Sequence, residues 1–336
     1  MRLSTKRPAR EHHENGLMWL WGLAPLLLLM SACGSGVQGS NRNASDSTAL
    51  TTTSKPQAQY SYQIVDVPGA TATRIAAIND WGATAGDFTD AAGAQHAFIR
   101  GRGGDVTTVD IPGAASTTLR GINDVGVAVG FYSVETPQGP NTVAFHGFKR
   151  SPDGMITTVD LPGAGDSALL DINNLGDIAG QYDLKDQSVG GSFVIKHGNF
   201  NTLPDPPGAA PFNVFASGIN ELGVISGSFL GLDGNIHAFL LRGGTYTTFD
   251  DSGATLTALA ALNDRGQAVG VSDVSGGFVF NTVTLSISTS IACPGGAGPA
   301  FPGDVNNRGQ VAGTCRLSAD SPPRPNHGFI ATPADD

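Results

Sequence analysis

One phrase returns six times along this chain, and it limits the possible folds more than any other feature. "GINDVGVAVG" (121–130) is its second occurrence. The Asn recurs at 79, 123, 173, 220, 263 and 306, at intervals of 44, 50, 47, 43 and 43 residues. In every copy a Gly follows three residues later (82, 126, 176, 223, 266, 309), and another follows seven later (86, 130, 180, 227, 270, 313). An apolar residue always precedes the Asn: Ile78, Ile122, Ile172, Ile219, Leu262, Val305. A fixed period of this length marks an array in which each repeat is one supersecondary unit.

The spacing has a turn mechanism. Asn at the first and Gly at the fourth position suit a type I turn, with Gly free to take positive φ at the exit. "LRGIND" is then a strand, "NDVG" the turn and "VAVGFY" the returning strand. A third strand carries a small residue followed by Phe98, Phe148, Phe193, Phe239, Phe278 or Phe329. The fourth reads "VTTVDIPGA", "ITTVDLPGA" or "YTTFDDSGA" and ends in a turn leading to the next copy. Forty-six glycines, few charges (14%) and many Val, Thr and Ile agree with short strands joined by tight turns.

Four antiparallel strands in 43–50 residues match one blade of a β-propeller. The phase of the repeat predicts how the ring closes. The last copy stops at "HGFIATPADD" without a fourth strand, while "YSYQIVDVPGA" (60–70) is a fourth strand with no blade of its own. The expected fold is therefore all-β: a six-bladed β-propeller of four-stranded blades over 59–336, closed by the N-terminal strand pairing into the C-terminal blade. Such closure leaves no orphan edge.

These motifs, "GINDVGVAVG" followed by "HAF" or "HGF", resemble the HAF-type repeats of bacterial extracellular proteins. The resemblance covers about residues 60–332. Copies three and five depart from it with "GSF" and "GGF". It implies secretion and a propeller-like repeat fold, and it brings no catalytic residues.

The N-terminus predicts export. Arg2, Lys6, Arg7 and Arg10 precede the 14-residue apolar run "LMWLWGLAPLLLLM" (17–30), which is short for a membrane span and suits a secretory signal. It ends in "LMSAC", which resembles the lipobox of bacterial lipoproteins. That resemblance implies lipidation of Cys33 after removal of residues 1–32, with an ordinary signal peptide cut near Ala32 as the alternative. Residues 33–58 are rich in Ser, Thr, Gly and Asn and read as a flexible tether. The expected location is the cell envelope, at the outer membrane or cell surface, with membrane contact through the lipid alone. Without the signal, 15 basic residues face 27 acidic ones, which argues against nucleic acid as a partner.

Four third strands begin with His. Counting through the hairpins sets His96 opposite Asp110, His146 opposite Asp160 and His237 opposite Asp250, and His327 opposite Asp66 of the closing strand. One reading is a set of dyads that activate water or hold a metal. The other is a structural hydrogen bond in each blade. A catalytic dyad is needed once, and four copies around a ring favour architecture. "DVNNRG" (304–309) and "DINNLG" (171–176) begin like calcium loops but carry Arg308 and Leu175 where a ligand oxygen is needed. No metal or cofactor is expected.

Cys293 stands where other copies end strand four in Asp, and Cys315 stands where they carry Phe88, Tyr132, Tyr182 or Phe229. The up-down strand order sets both on one rim of adjacent blades, which predicts a disulfide. On that rim the connections between strands two and three vary most: "SVETPQGPNTVA" (133–144), "DLKDQSVGG" (183–191), "LGLDGN" (230–235) and "RLSADSPPRPN" (316–326). A rigid scaffold with variable loops is where binding usually resides, here around a central channel mouth. The expected function is non-enzymatic binding, by a monomer, of an envelope glycan or protein. A carbohydrate-active hydrolase or lyase is the alternative, and it requires an asymmetric cluster of carboxylates or His near the channel.

Overall fold

In the computed structural model, the six copies become six four-stranded antiparallel sheets. The model describes residues 60–136, 143–184, 189–296, 298–318, 320 and 325–334. Blade one is built from Ala72–Ile78, Thr84–Thr89, Gln95–Arg100 and Val106–Val109. Blade two uses Ser116–Ile122, Ala128–Glu135, Val143–Arg150 and Ile156–Thr158; blade three uses Asp166–Ile172, Ile178–Leu184, Val189–Lys196 and Asn199–Thr202. Blade four holds Ala209–Ile219, Ile225–Gly231, Ile236–Arg242 and Thr245–Phe249; blade five holds Thr257–Leu262, Gln267–Ser272, Gly276–Asn281 and Ser286–Ile291. Blade six consists of Phe301–Val305, Val311–Cys315, His327–Pro333 and, from the other end of the chain, Tyr60–Val65.

The closing strand runs antiparallel to His327–Pro333, from Tyr60 opposite Pro333 to Val65 opposite Gly328. First strands of neighbouring blades touch all the way round, so these are the inner strands and the ring is shut. The chain is a six-bladed β-propeller of the topology expected. The propeller lies in the compact unit Gln57–Asp336. The signal segment, Cys33 and the tether to 58 lie outside the described residues.

The two glycines of the repeat do different work. Gly126 takes φ +82° at the end of the Asn turn, a conformation that a side chain would strain. Gly130 faces the inner strand, where a Cβ would lie 2.0 Å from the Thr118 carbonyl oxygen. The cause is a β-bulge in the inner strand, between Leu119 and Gly121 in this blade, that pushes backbone toward the second strand. The same bulge occurs in all six blades. Directly across from each such Gly on the third strand sits the repeat Phe, as in Gly130 opposite Phe148. At Gly180, Gly227, Gly270 and Gly313 an added Cβ would also meet that Phe ring, 2.4 Å away in the case of Phe193.

The core lies between blades rather than within one. Phe148 of blade two packs with Ala77, Ala85, Ala97 and Val109 of blade one. Phe98 packs with Val65, Ala312 and Ile330 of blade six. All six repeat Phe side chains are fully buried, and each such burial contributes about 1.5–3 kcal/mol.

Candidate functional site

At the ring axis the six Asn turns do more than reverse the chain. Within its own turn, Asn79 Oδ1 accepts the Trp81 and Ala83 N–H groups at 3.1 and 2.9 Å. Its Nδ2 then donates to the Asn123 carbonyl of the next blade at 3.0 Å. Asn123 reaches Asn173, Asn173 reaches Asn220, Asn220 reaches Asn263, and Asn263 reaches Asn306 in the same way. Asn306 returns to Asn79 at 3.0 Å, and the circle is complete.

The residues after the Asn form a second circle. Each main-chain N–H donates to the next blade's side-chain oxygen: Asp80 to Asp124, Asp124 to Asn174, Asn174 to Glu221, Glu221 to Asp264, Asp264 to Asn307, and Asn307 to Asp80. Asn307 Nδ2 also donates to Asp80 and Asp264, separating their charges.

These turns surround an axial well of about 70 Å³, room for a few waters. Its mouth carries Asp80, Asp124, Glu221 and Asp264; deeper in the lining are Asp171 and Asp304, and among the described residues no basic side chain lines it. Asp171 and Asp304 replace residues that are Ala77, Gly121, Gly218 and Ala261 in the other blades, and they come from opposed blades, three and six. Each ties its blade to the next. Asp304 accepts the Val305 and Ile78 N–H groups at 2.7 and 2.8 Å; Asp171 accepts those of Ile172 and Ile219 at 2.8 and 2.7 Å.

Burial raises both carboxyl groups. Asp171 goes to about 6. Asp304, which also feels the Asp171 charge, goes to about 8. Burial favours the protonated form of both, and ionisation of either opposes ionisation of the other.

Further along the inner strands stand two arginines that also break the repeat. Arg74 makes a two-point ion pair with Asp87 at 3.0 and 2.9 Å. That charge holds the Arg74 guanidinium above its usual value. Arg120 is lowered to about 10 by burial and by Arg74, with Asp87 and Asp171 opposing. The symmetric residues of the repeat do not point to these four departures. Their signal was available as charged residues at inner-strand positions where other copies carry small or uncharged ones.

On the opposite rim the His and Asp residues meet as counted. The Nδ1 atoms of His96, His146, His237 and His327 lie 3.0, 2.8, 2.8 and 2.8 Å from Asp110, Asp160, Asp250 and Asp66. Three of these rings carry a second carboxylate that sequence reading missed, because it comes from the loop before the third strand. Nε2 of His96, His237 and His327 lies 3.4, 3.1 and 3.0 Å from Asp90, Asp233 and Asp320.

An acceptor-only carboxylate at each nitrogen favours the imidazolium form of the ring. His96 is raised first by its hydrogen bond to Asp110. In His237 and His327 burial opposes the shift, and the two carboxylates together outweigh it. Strand-two aromatics lie over three of the rings, with centroids 5.2, 5.4 and 5.1 Å apart in Phe88–His96, Tyr132–His146 and Phe229–His237. Both ring nitrogens of His96, His237 and His327 are thus engaged, an arrangement that fastens loop to strand.

On the same rim Cys293 and Cys315 form a disulfide with Cα atoms 5.6 Å apart, joining blades five and six. Residues 137–142, 185–188, 319 and 321–324 of the variable loops lie outside the described residues. The described well opens among the Asn turns, at the other end of the axis from those loops. This concavity lies at the turn end, where the inner strands and the carboxylate ring shape it.

The chain matches no protein-family model and no curated protein by sequence. Among solved structures it is similar to a gluconolactonase from Xanthomonas campestris, with 14% identity, 78% of this chain and 87% of that chain covered and a TM-score of 0.47. It is also similar to a chain of the nidogen/laminin complex (10%, 66% and 80%, TM-score 0.45) and to the fucose-specific lectin of Aleuria aurantia (10%, 78% and 89%, TM-score 0.40). At these values no ligand or activity transfers to this chain.

Proposed function

We propose that this chain is an exported, non-enzymatic binding module of the HAF-repeat type, held at the cell envelope by a lipid on Cys33. The Cys293–Cys315 disulfide supports export, and "LMSAC" supports the anchor. The observation that carries the binding reading is the closure of the axis. Two circles of hydrogen bonds leave a well of about 70 Å³, against about 300–1,000 Å³ for a site that encloses a small organic ligand. What the ring offers a partner is the area around the well and on the loop rim, which suits a glycan polymer or a protein.

One observation favours a second reading. Asp171 and Asp304 are the asymmetric pair that a hydrolase needs, with their pKa values set apart. Both oxygens of each are nevertheless occupied by main-chain N–H groups, which suits a staple between blades.

The test is a thermal-shift screen of the full chain against envelope glycan fragments, simple sugars and divalent metals, with release from chromogenic glycosides followed in parallel. A ligand at 100 times its dissociation constant stabilises by about 2.7 kcal/mol. Stabilisation without turnover is the expected result. Turnover that disappears in Asp171→Asn replaces binding by catalysis.

A further inference from the structure

The Asn turn leaves one position without a folding task. Asn at the first position and Gly at the fourth satisfy the turn, and the third residue contributes only its main-chain N–H. Those third residues are Trp81, Val125, Leu175, Leu222, Arg265 and Arg308. The first four are 63%, 63%, 72% and 73% exposed. Single exposed apolar side chains are ordinary on a protein surface; a contiguous set at one site marks an interaction surface. Here the four occupy the same position in four consecutive blades, and together they form an arc around the mouth of the axial well. Met155, in the third-to-fourth-strand turn of blade two, lies on the same face and is 64% exposed.

The centre of the arc sets the partner's charge. Asp80, Asp124, Glu221 and Asp264 ring the mouth, Asp171 and Asp304 lie below with Arg120 near Asp171, and among the described residues no basic side chain lines the well. Among the described residues the ring carboxylates accept only neutral donors, main-chain N–H groups and the Asn174 and Asn307 amides, so the mouth keeps a negative charge that a neutral glycan does not complement. A cationic side chain answers it, and the well's volume admits the tip of one side chain.

We propose that this face docks a protein segment presenting one lysine or arginine between apolar residues. The cationic tip enters the well, and the apolar neighbours cover Trp81, Val125, Leu175 and Leu222. The two turns that carry Arg265 and Arg308 leave the arc open on one side and set the direction in which the segment leaves the face. This inference rests on the binding reading and gives it a partner class and a face.

The test is selection of a displayed library of random dodecapeptides on the full chain, followed by titration of the selected peptide as a synthetic probe. The expected consensus holds one Lys or Arg with apolar neighbours. Two changes are each expected to weaken binding roughly tenfold or more: Leu175→Ser with Leu222→Ser in the protein, and Lys→norleucine in the peptide. Added salt weakens it further. The two leucines are surface residues, so that variant folds, and the norleucine peptide leaves the protein untouched.

Selected peptides without a basic residue overturn the docking mode, as does a library in which nothing is enriched. Binding that survives the leucine variant but is lost on replacing loop residues 230–235 overturns this face and leaves the binding reading standing. Sedimentation showing self-association that Leu222→Ser abolishes assigns the face to a second copy of the chain instead. Glycoside turnover without peptide binding overturns both readings.

Discussion

Replacing Asn79 separates two explanations of why Asn recurs in every blade. The side chain is 6% exposed and makes three hydrogen bonds. Two are accepted within the turn, from Trp81 and Ala83, and one is donated across the seam to Asn123. A buried hydrogen bond nets about 0.5–1.5 kcal/mol, and a buried polar group left alone costs about 1–3 kcal/mol. Asn79→Ala removes all three bonds and takes the side-chain acceptor from the Trp81 and Ala83 N–H groups, while the Asn123 carbonyl keeps the Gly126 N–H. The expected loss is about 3–4 kcal/mol, or roughly 5–8 °C in Tm for a domain of this size.

Asn79→Asp is the more informative change. Asp is as suitable as Asn at the first position of a type I turn, and it keeps both turn bonds. It cannot donate, however, and it sets a carboxylate against the Asn123 carbonyl. If the circle around the axis is the reason for Asn, Asn79→Asp costs about 2–4 kcal/mol. Urea unfolding at neutral pH, followed by far-ultraviolet circular dichroism, measures both variants. An Asp variant within about 0.5 kcal/mol of the parent refutes the circle and returns Asn to turn chemistry alone.

Other perturbations have equally definite outcomes. Gly130→Ala drives a Cβ to 2.0 Å from a carbonyl oxygen, and the bulge has to shift; a loss of about 3 kcal/mol or more is expected in the same urea assay, and a loss below about 1 kcal/mol contradicts the close approach. Reducing Cys293–Cys315, whose partners are 22 residues apart, lowers stability by about 2–4 kcal/mol; the unreduced protein alkylates at neither thiol, as mass spectrometry after denaturation shows. Stability falls as pH rises. Asp304 has a raised pKa in the fold, so its contribution is present below its unfolded value near about 4 and is lost toward about 8; the raised His96, His237 and His327 add loss in the same direction above about 6.5. The urea midpoint therefore declines from about pH 5 to about pH 9, Asp304→Asn flattens the lower part of that slope, and a midpoint that climbs over this range contradicts the burial of these groups.

The parts of this protein that its sequence revealed are those where one residue type meets one local requirement and is repeated. Gly126 needs positive φ, Phe193 fills the space over Gly180, and His146 needs Asp160 as its cross-strand partner. Each demand returns in other copies, so the phase of the copies was enough to place the closing strand and bring Cys293 to Cys315.

Only the closed ring decided the rest. The Asn amides find their acceptors 43 to 50 residues away, or 227 away at the Asn306–Asn79 seam, distances along the chain at which no local pattern exists. The inner-strand bulges fall immediately before Asp171 and Asp304, and ring closure turns both residues into lining for one well. Asp90, Asp233 and Asp320 reach their imidazoles from loops of different length, so no fixed offset announces them. Trp81, Val125, Leu175 and Leu222 look unremarkable one at a time in sequence. They become one surface because sixfold closure brings positions tens of residues apart to the same radius on the same face.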